Sequence, residues 1–235
     1  MALYAIADLH LSLGTDKPMD VFRGWENYVE RLEKNWRALV TEEDTVMIAG
    51  DISWGMRLEE TVQDFTFLES LPGKKLLLKG NHDYWWSTRS KIEAFFAAQG
   101  FCSMELVFNS AVRVGDITVC GTRGWLYNAE TPEDRKIVAR ENGRLTLSLE
   151  AAQKLGGTPV VFLHYPPVYD TAECAALLDT MQRFGVTDCY YGHIHGDRAA
   201  KKAPVGEYRG IRMNLVSCDY IRFVPKLVRL HADCK

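Results

Sequence analysis

Leu3-Tyr4-Ala5-Ile6-Ala7-Asp8-Leu9-His10 is a β-type apolar run that passes straight into an aspartate and, two positions on, a histidine. A strand apolar at nearly every position is covered on both faces, which places it inside a layered α/β fold rather than on a half-wet sheet. The pattern of apolar run followed by a polar turn then returns along the chain. Thr45–Ala49 leads to Gly50-Asp51, and Lys75–Leu78 to Gly80-Asn81-His82-Asp83. Pro159–Leu163 leads to His164, and Cys189–Tyr191 to Gly192-His193-Ile194-His195. Five of the six histidines fall in these turns, leaving only His231 outside them. Chance scattering does not do that.

Helical spacing fills the gaps. Val21, Trp25, Tyr28, Val29, Leu32, Trp36 and Leu39 predict an amphipathic helix over about 20–40. Leu58, Val62, Phe65 and Leu68 predict a second over 57–70, and Ile92, Phe95 and Phe96 a third over 88–99. Thr131-Pro132-Glu133-Asp134 reads as a helix start running to about Leu155, and another helix is expected over 171–184. Two regions break the alternation. Residues 105–121 read as adjacent antiparallel strands turning at Asn109-Ser110 and Gly115-Asp116, and 208–230 carries the β-rich runs Ile211–Val216 and Ile221–Leu230. A chain that runs β-α-β and ends β-β fits two packed mixed sheets flanked by helices better than one doubly wound sheet. The expected class is therefore α/β, a four-layer α-β-β-α sandwich, as one domain over 1–235.

The whole-chain balance excludes several functions. A formal net charge of −3, with 25% charged and 47% hydrophobic residues, belongs to a globular protein without a broad nucleic-acid or anionic-membrane surface. The six cysteines are dispersed with no Cys-x-x-Cys pair, so they read as reduced thiols rather than a disulfide framework or zinc ribbon. No run approaches the 18 or more apolar residues of a membrane span, and a strand starting at Leu3 leaves no room for a signal peptide. A cytoplasmic location is expected.

The polar turns carry the chemistry. Asp8 and His10 stand two apart just past a strand, where extended geometry turns both side chains to one side, and His193 and His195 repeat the spacing. Strand C-termini of α/β folds converge on one crevice. Asp8, His10, Asp51, Asn81, His164, His193 and His195 are too many donors for one tetrahedral site and suit two cations sharing a carboxylate. Imidazole, carboxylate and amide oxygen without thiolate favour manganese, iron, zinc or cobalt. Two dications set against two carboxylates and a hydroxide leave about one positive charge, which attracts and polarises a phosphate.

Asp-x-His, Gly-Asp, Gly-Asn-His-Asp, a later His and Gly-His-x-His, in that order over residues 8–195, resemble the calcineurin-like metallophosphoesterases, here of the small bacterial phosphohydrolase type. The resemblance implies a two-sheet sandwich with flanking helices, and a phosphoesterase that uses a metal-bridging hydroxide to attack phosphorus. It implies that Asp8, His10 and His195 hold one metal, that Asn81, His164 and His193 hold the second, and that Asp51 bridges. It also implies that His82 faces the leaving group as general acid or transition-state donor, with Asp83 orienting it.

Other residues stand at the margin of these motifs. Tyr84, Trp85 and Trp86 follow the third motif and fit either substrate stacking or packing beneath the loop. Arg123 fits either a bidentate phosphate clamp or a salt bridge. Arg198, Lys201 and Lys202 fit either a solvated loop or a patch that draws anionic substrate inward. The stretch Gly50–Gly55 lacks the arginine of protein Ser/Thr phosphatases, which disfavours that substrate. A non-catalytic scaffold of the same fold is the rival of a different class. The expected partner is a small phosphorylated substrate, a mono- or diester, with nucleotide-related compounds among the candidates.

Overall fold

The computed structural model describes residues 1–125 and 131–230. His231 and Cys234 lie outside them, and the five described cysteines are free thiols. One sheet has β1 (Ala2–Ile6), β2 (Thr45–Ala49), β3 (Lys74–Leu78) and β4 (Met104–Leu106) in parallel, with β13 (Lys226–Leu230) antiparallel beside β1. The other is built on parallel β6 (Ile117–Thr122), β7 (Thr158–Leu163), β10 (Asp188–Tyr191) and β12 (Ile211–Leu215). Antiparallel β5 (Ala111–Val114) and β11 (Gly206–Tyr208) close its two edges. A short hairpin, β8 (Val168–Tyr169) with β9 (Ala172–Glu173), stands apart.

Alternation along each strand sorts side chains into layers. Ile6, Val46, Ile48 and Leu77 face outward onto α1 (Tyr28–Leu39), α2 (Val62–Ser70) and α3 (Arg89–Gln99), meeting Leu32, Trp36, Phe65 and Phe96. Leu3, Ala5, Met47, Leu76 and Leu78 face inward and meet Val119, Val160, Phe162 and Tyr190 of the second sheet. The outer face of that sheet packs Val161, Leu163 and Tyr191 on Leu145 and Leu149 of α4 (Pro132–Leu155) and on Leu178 of α5 (Ala175–Arg183). The expected four-layer sandwich is what forms. Trp36 shows how tightly: it has no exposed surface, and its indole N–H donates to the Pro72 carbonyl at 3.0 Å. α4 starts where the sequence places it, because Thr131 accepts from the Asp134 N–H and Asp134 accepts back from the Thr131 N–H.

Four boundaries differ from expectation. The helix expected from residue 20 begins only at Tyr28, since Gly24 and Asn27 adopt left-handed φ of 90° and 50°. Val21 and Trp25 therefore lie in turns. The helix expected from 171 begins at Ala175, behind a hairpin that turns at left-handed Asp170. Ile221–Leu230 shortens to 226–230 because Arg222 and Phe223 both have positive φ. Residues 105–121 do not form neighbouring strands throughout: β4 pairs with β3 in one sheet and β5 with β6 in the other, so Asn109-Ser110 is a crossing between sheets.

Candidate metal centre

The polar turns after β1, β2, β3, β7 and β10 meet at one end of the sandwich. Backbone bonds hold them in register: Asp8 N–H to the Gly50 carbonyl at 2.9 Å, His10 N–H to the Asp51 carbonyl at 2.9 Å, and Gly192 N–H to the His164 carbonyl at 3.2 Å. The structure brings together donor atoms of Asp8, His10 and His195 within 4.8 Å of one another, and likewise those of Asp51, His164 and His193. Asn81 joins the second group, its Oδ1 2.6 Å from His164 Nε2. Asp51 Oδ2 stands 3.8 Å from His10 Nε2 and 3.4 Å from His164 Nε2, so it reaches both groups.

The local backbone is not the extended geometry that the two-residue spacing implies. Asp8, His10, Asp51 and His193 have φ of 61°, 46°, 52° and 70°, four of the ten left-handed non-glycine residues among those described. Such conformations cost on the order of 1–3 kcal/mol each and persist where the surroundings enforce them, which is characteristic of functional sites. The turn also separates His193 from His195, so the pair serves different groups instead of one. Close approach needs two glycines. A Cβ on Gly192 would stand 2.5 Å from Asp8 Oδ2, and one on Gly80 would overlap the Asp51 carboxylate and N–H.

Asp83 explains why these turns keep their shape. It is fully buried and accepts N–H bonds from Gly80 at 2.7 Å, Asp51 at 2.9 Å, Ile52 at 2.8 Å and the Trp85 indole at 3.1 Å. Burial and the nearby Asp51 push its pKa up to about 6, and the backbone donors work the other way. Trp85 and Trp86 are buried, while Tyr84 is half exposed with its hydroxyl 3.3 Å from His82 Nδ1. The His82 ring leans on Trp54 at 4.6 Å and lies 5.7 Å from His10.

Electrostatics within the cluster are unbalanced. Burial pushes His10 down to about 3 and His193, also repelled by His164, down to about 4. Burial raises Asp51 to about 8, helped by the charge of Asp8. Burial likewise opposes charge on His195, yet Asp8 and Asp219 outweigh it and push this imidazole up to about 10. Asp8 is raised by burial, but His195 and the other histidines hold it below the ordinary carboxylate range.

The donors fit cations. His164 Nδ1 lies 3.1 Å from the Ala49 carbonyl and must donate there, which leaves the Nε2 lone pair facing Asn81 Oδ1 and Asp51 Oδ2. His195 Nδ1 lies 3.0 Å from Asp219 Oδ1, which turns its Nε2 toward His10 Nε2 at 3.3 Å and Asp8 Oδ1 at 3.7 Å. Acceptors converging on acceptors are what a metal ion satisfies, and a carboxylate behind a ligating imidazole is the usual outer support.

Asp219 was not legible as part of the site, nor were Trp54 and Met19, because no motif marks them. Arg123 serves the site through its backbone, its carbonyl accepting from His164 and Tyr165 N–H at 3.1 and 2.9 Å. Its guanidinium lies 3.8 Å from buried Glu141 and over the Trp125 ring at 4.9 Å. Lys202 pairs with Asp170 at 2.6 Å.

No curated protein matches the chain in sequence. Among solved structures, a protein of unknown function, AQ665, from Aquifex aeolicus aligns with a TM-score of 0.51 and 17% identity, covering 96% of this chain and 95% of that one. A phosphopantetheinyl hydrolase (PptH) from Mycobacterium tuberculosis aligns with a TM-score of 0.57 and 15% identity, covering 100% and 98%. Both likenesses are of fold. The sequence model described as calcineurin-like phosphoesterase matches residues 1–197. That match takes in every donor from Asp8 to His195, and it shows that the chain belongs to the calcineurin-like phosphoesterases, metal-dependent hydrolases of phosphoester bonds.

Proposed function

We propose that this chain is a dinuclear phosphohydrolase that cleaves a phosphomonoester or small phosphodiester, working as one domain over 1–235. The observation that carries the reading is the placing of Asp51 Oδ2 between His10 Nε2 and His164 Nε2, where one carboxylate serves both donor groups. Asp8, His10 and His195 would hold one cation, and Asn81, His164 and His193 the other. Manganese, iron and zinc suit this donor set. When bound, the cations supply Lewis acidity at phosphorus and acidify water toward a pKa of roughly 7.

The chain's own residues do the rest. His82 stands beside the donors with Nδ1 against the Tyr84 hydroxyl, so Nε2 is the nitrogen available to a departing oxygen. Asp83 acts by positioning, since its oxygens hold the Gly50 and Gly80 turns. Tyr84 and Arg123 are proposed substrate contacts, Tyr84 through its exposed ring. The substrate class is a small phosphorylated compound, with nucleotide-related esters among the candidates; one neighbour of the same fold is a phosphopantetheinyl hydrolase. Among the described residues no helix is long and apolar enough to cross a membrane, and the free thiols accord with a cytoplasmic setting. Gly50–Gly55 offers no arginine to a phosphoprotein, and a non-catalytic scaffold would not need the complete donor set.

The test is metal analysis of the purified chain with hydrolysis of p-nitrophenyl and bis-p-nitrophenyl phosphate in Mn²⁺. About two metals per chain are expected, with activity lost in Asp51→Asn. His82→Ala should keep its metals and slow by about 10²–10⁴-fold. A folded, metal-loaded protein inert to a broad phosphoester panel overturns the reading.

A further inference from the structure

Beside the donors lies a cavity of about 420 Å³ that opens on His10, His82 and His195. Met19, Phe22, Trp25 and Trp54 make its apolar wall, with Arg23 and Asp219 as the charged groups at its edge. A few polar groups set in an aromatic wall at this size is the composition of a small-molecule site. Two of these walls are fixed from behind. Trp54 stacks on His10 at 5.0 Å and 22°, and its indole N–H points at Met19 Sδ at 3.4 Å. Trp25 is held edge-on by Tyr28 at 5.4 Å and Phe223 at 5.2 Å.

Phe22 is different. It is 55% exposed, and its neighbour Val21 is 73% exposed, on a segment that Gly24 and Asn27 keep out of the following helix. Unlike the other exposed apolar side chains, its ring lines the cavity that opens on His10, His82 and His195. An apolar lip continuous with an apolar wall is explained by a ligand that covers both.

We propose that this cavity takes the organic part of the substrate and selects an apolar group, an aromatic ring or an alkyl chain, esterified to the phosphate held at the donors. The inference rests on the phosphohydrolase reading and names its substrate class: hydrophobic phosphoesters, in preference to sugar phosphates or other fully polar ones. Lys17, whose ammonium stands 4.6 Å over the Trp54 ring, lends a positive charge to the same side.

Phosphonates separate the cavity from the chemistry, because they bind without being hydrolysed. Titration calorimetry on the Mn²⁺-loaded protein compares methyl-, hexyl- and phenylphosphonate, which share one head group. Hexyl- or phenylphosphonate should bind at least about tenfold tighter than methylphosphonate, as burial of their apolar area requires. Phenyl over hexyl identifies a ring as the preferred group, and the reverse order identifies a chain. In Phe22→Ser, a change at an exposed position that leaves the core intact, the ratio should fall several-fold. Equal affinity for all three, or a ratio unmoved by Phe22→Ser, overturns the proposal while leaving the phosphohydrolase reading in place. A preserved ratio in a protein that hydrolyses no ester sinks that reading and keeps the apolar pocket.

Discussion

Glu141 and Asp8 are equally buried carboxylates, and their surroundings are opposite in kind. Glu141 accepts from the Thr122 hydroxyl at 2.7 Å and from Arg144 at 2.8 Å, with Arg140 and Arg123 at 3.6 and 3.8 Å. Its charge is matched by the protein. Asp8 accepts the His193 N–H at 2.9–3.0 Å, but beyond that bond its carboxylate faces, among the described residues, only imidazole nitrogens of His164 and His195 at 3.8 and 3.7 Å, too far for a hydrogen bond. One burial is complete and the other needs something from outside. Buried charge left uncompensated is expensive, so a fold keeps it only where an external ion completes it. The difference marks function more sharply than burial does.

Glu141→Gln should destabilise the fold by about 3 kcal/mol, with the metal content of the folded protein retained, because only protein partners are lost. Denaturant titration with metal analysis checks this; loss of metal would show that the two regions are not independent. At the donor end, stripping metal with a chelator should lower stability by about 2–3 kcal/mol, or roughly 5–10 °C in Tm. Asp51→Asn should show almost none of that shift. Equal chelator shifts in both proteins would mean that the cluster is not the metal centre.

A subtler change sharpens the contrast inside the donor end. Asp219→Asn removes the carboxylate behind His195 and should weaken one of the two cations by about 10–100-fold, leaving the His164 group unaffected. Stepwise metal titration reads this, and equal weakening of both cations would contradict the division into two groups. The smallest effect lies with Lys75, buried in β3 and donating to Leu71 and Ser103. Burial pushes its pKa down to about 8. Between that value and the ordinary one near 10.4 the unfolded chain keeps the proton and the folded chain sheds it. The penalty is therefore full below about pH 8 and fades as pH rises toward 10.4. Stability measured against Lys75→Met should improve for the parent over that window, and a flat difference would show that Lys75 is not desolvated.

The layers and the clustering of the polar turns were legible because both rest on short-range pattern. Continuous apolar strands ending in Asp, Asn or His predict a buried sheet with a polar rim, and the rim formed. The reasons behind the pattern were not legible. Asp8 and His10 looked like strand neighbours on one side, whereas both occupy left-handed backbone that no two-residue period encodes. The apolar period through Val21 and Trp25 reads as helix because a turn packing Trp25 under Tyr28 and Phe223 leaves the same spacing. Asn109-Ser110 carries turn residues that serve a hairpin and a crossing between sheets equally well. Asp219 sits in Cys218-Asp219-Tyr220 with nothing local to separate it from a surface aspartate. Its partner is 24 residues away, and only the fold supplies it.

The bond from His193 N–H to Asp8 joins positions 185 residues apart. During synthesis at about 5–20 residues per second, the amino-terminal donors wait on the order of ten seconds or more for the turn that completes them. Asp8, His10, Asp51 and Asn81 leave the ribosome long before His193 and His195, so a growing chain holds an unfinished set of candidate ligands. The order of residues thereby defers full assembly of the centre until nearly the whole sandwich exists to enclose it.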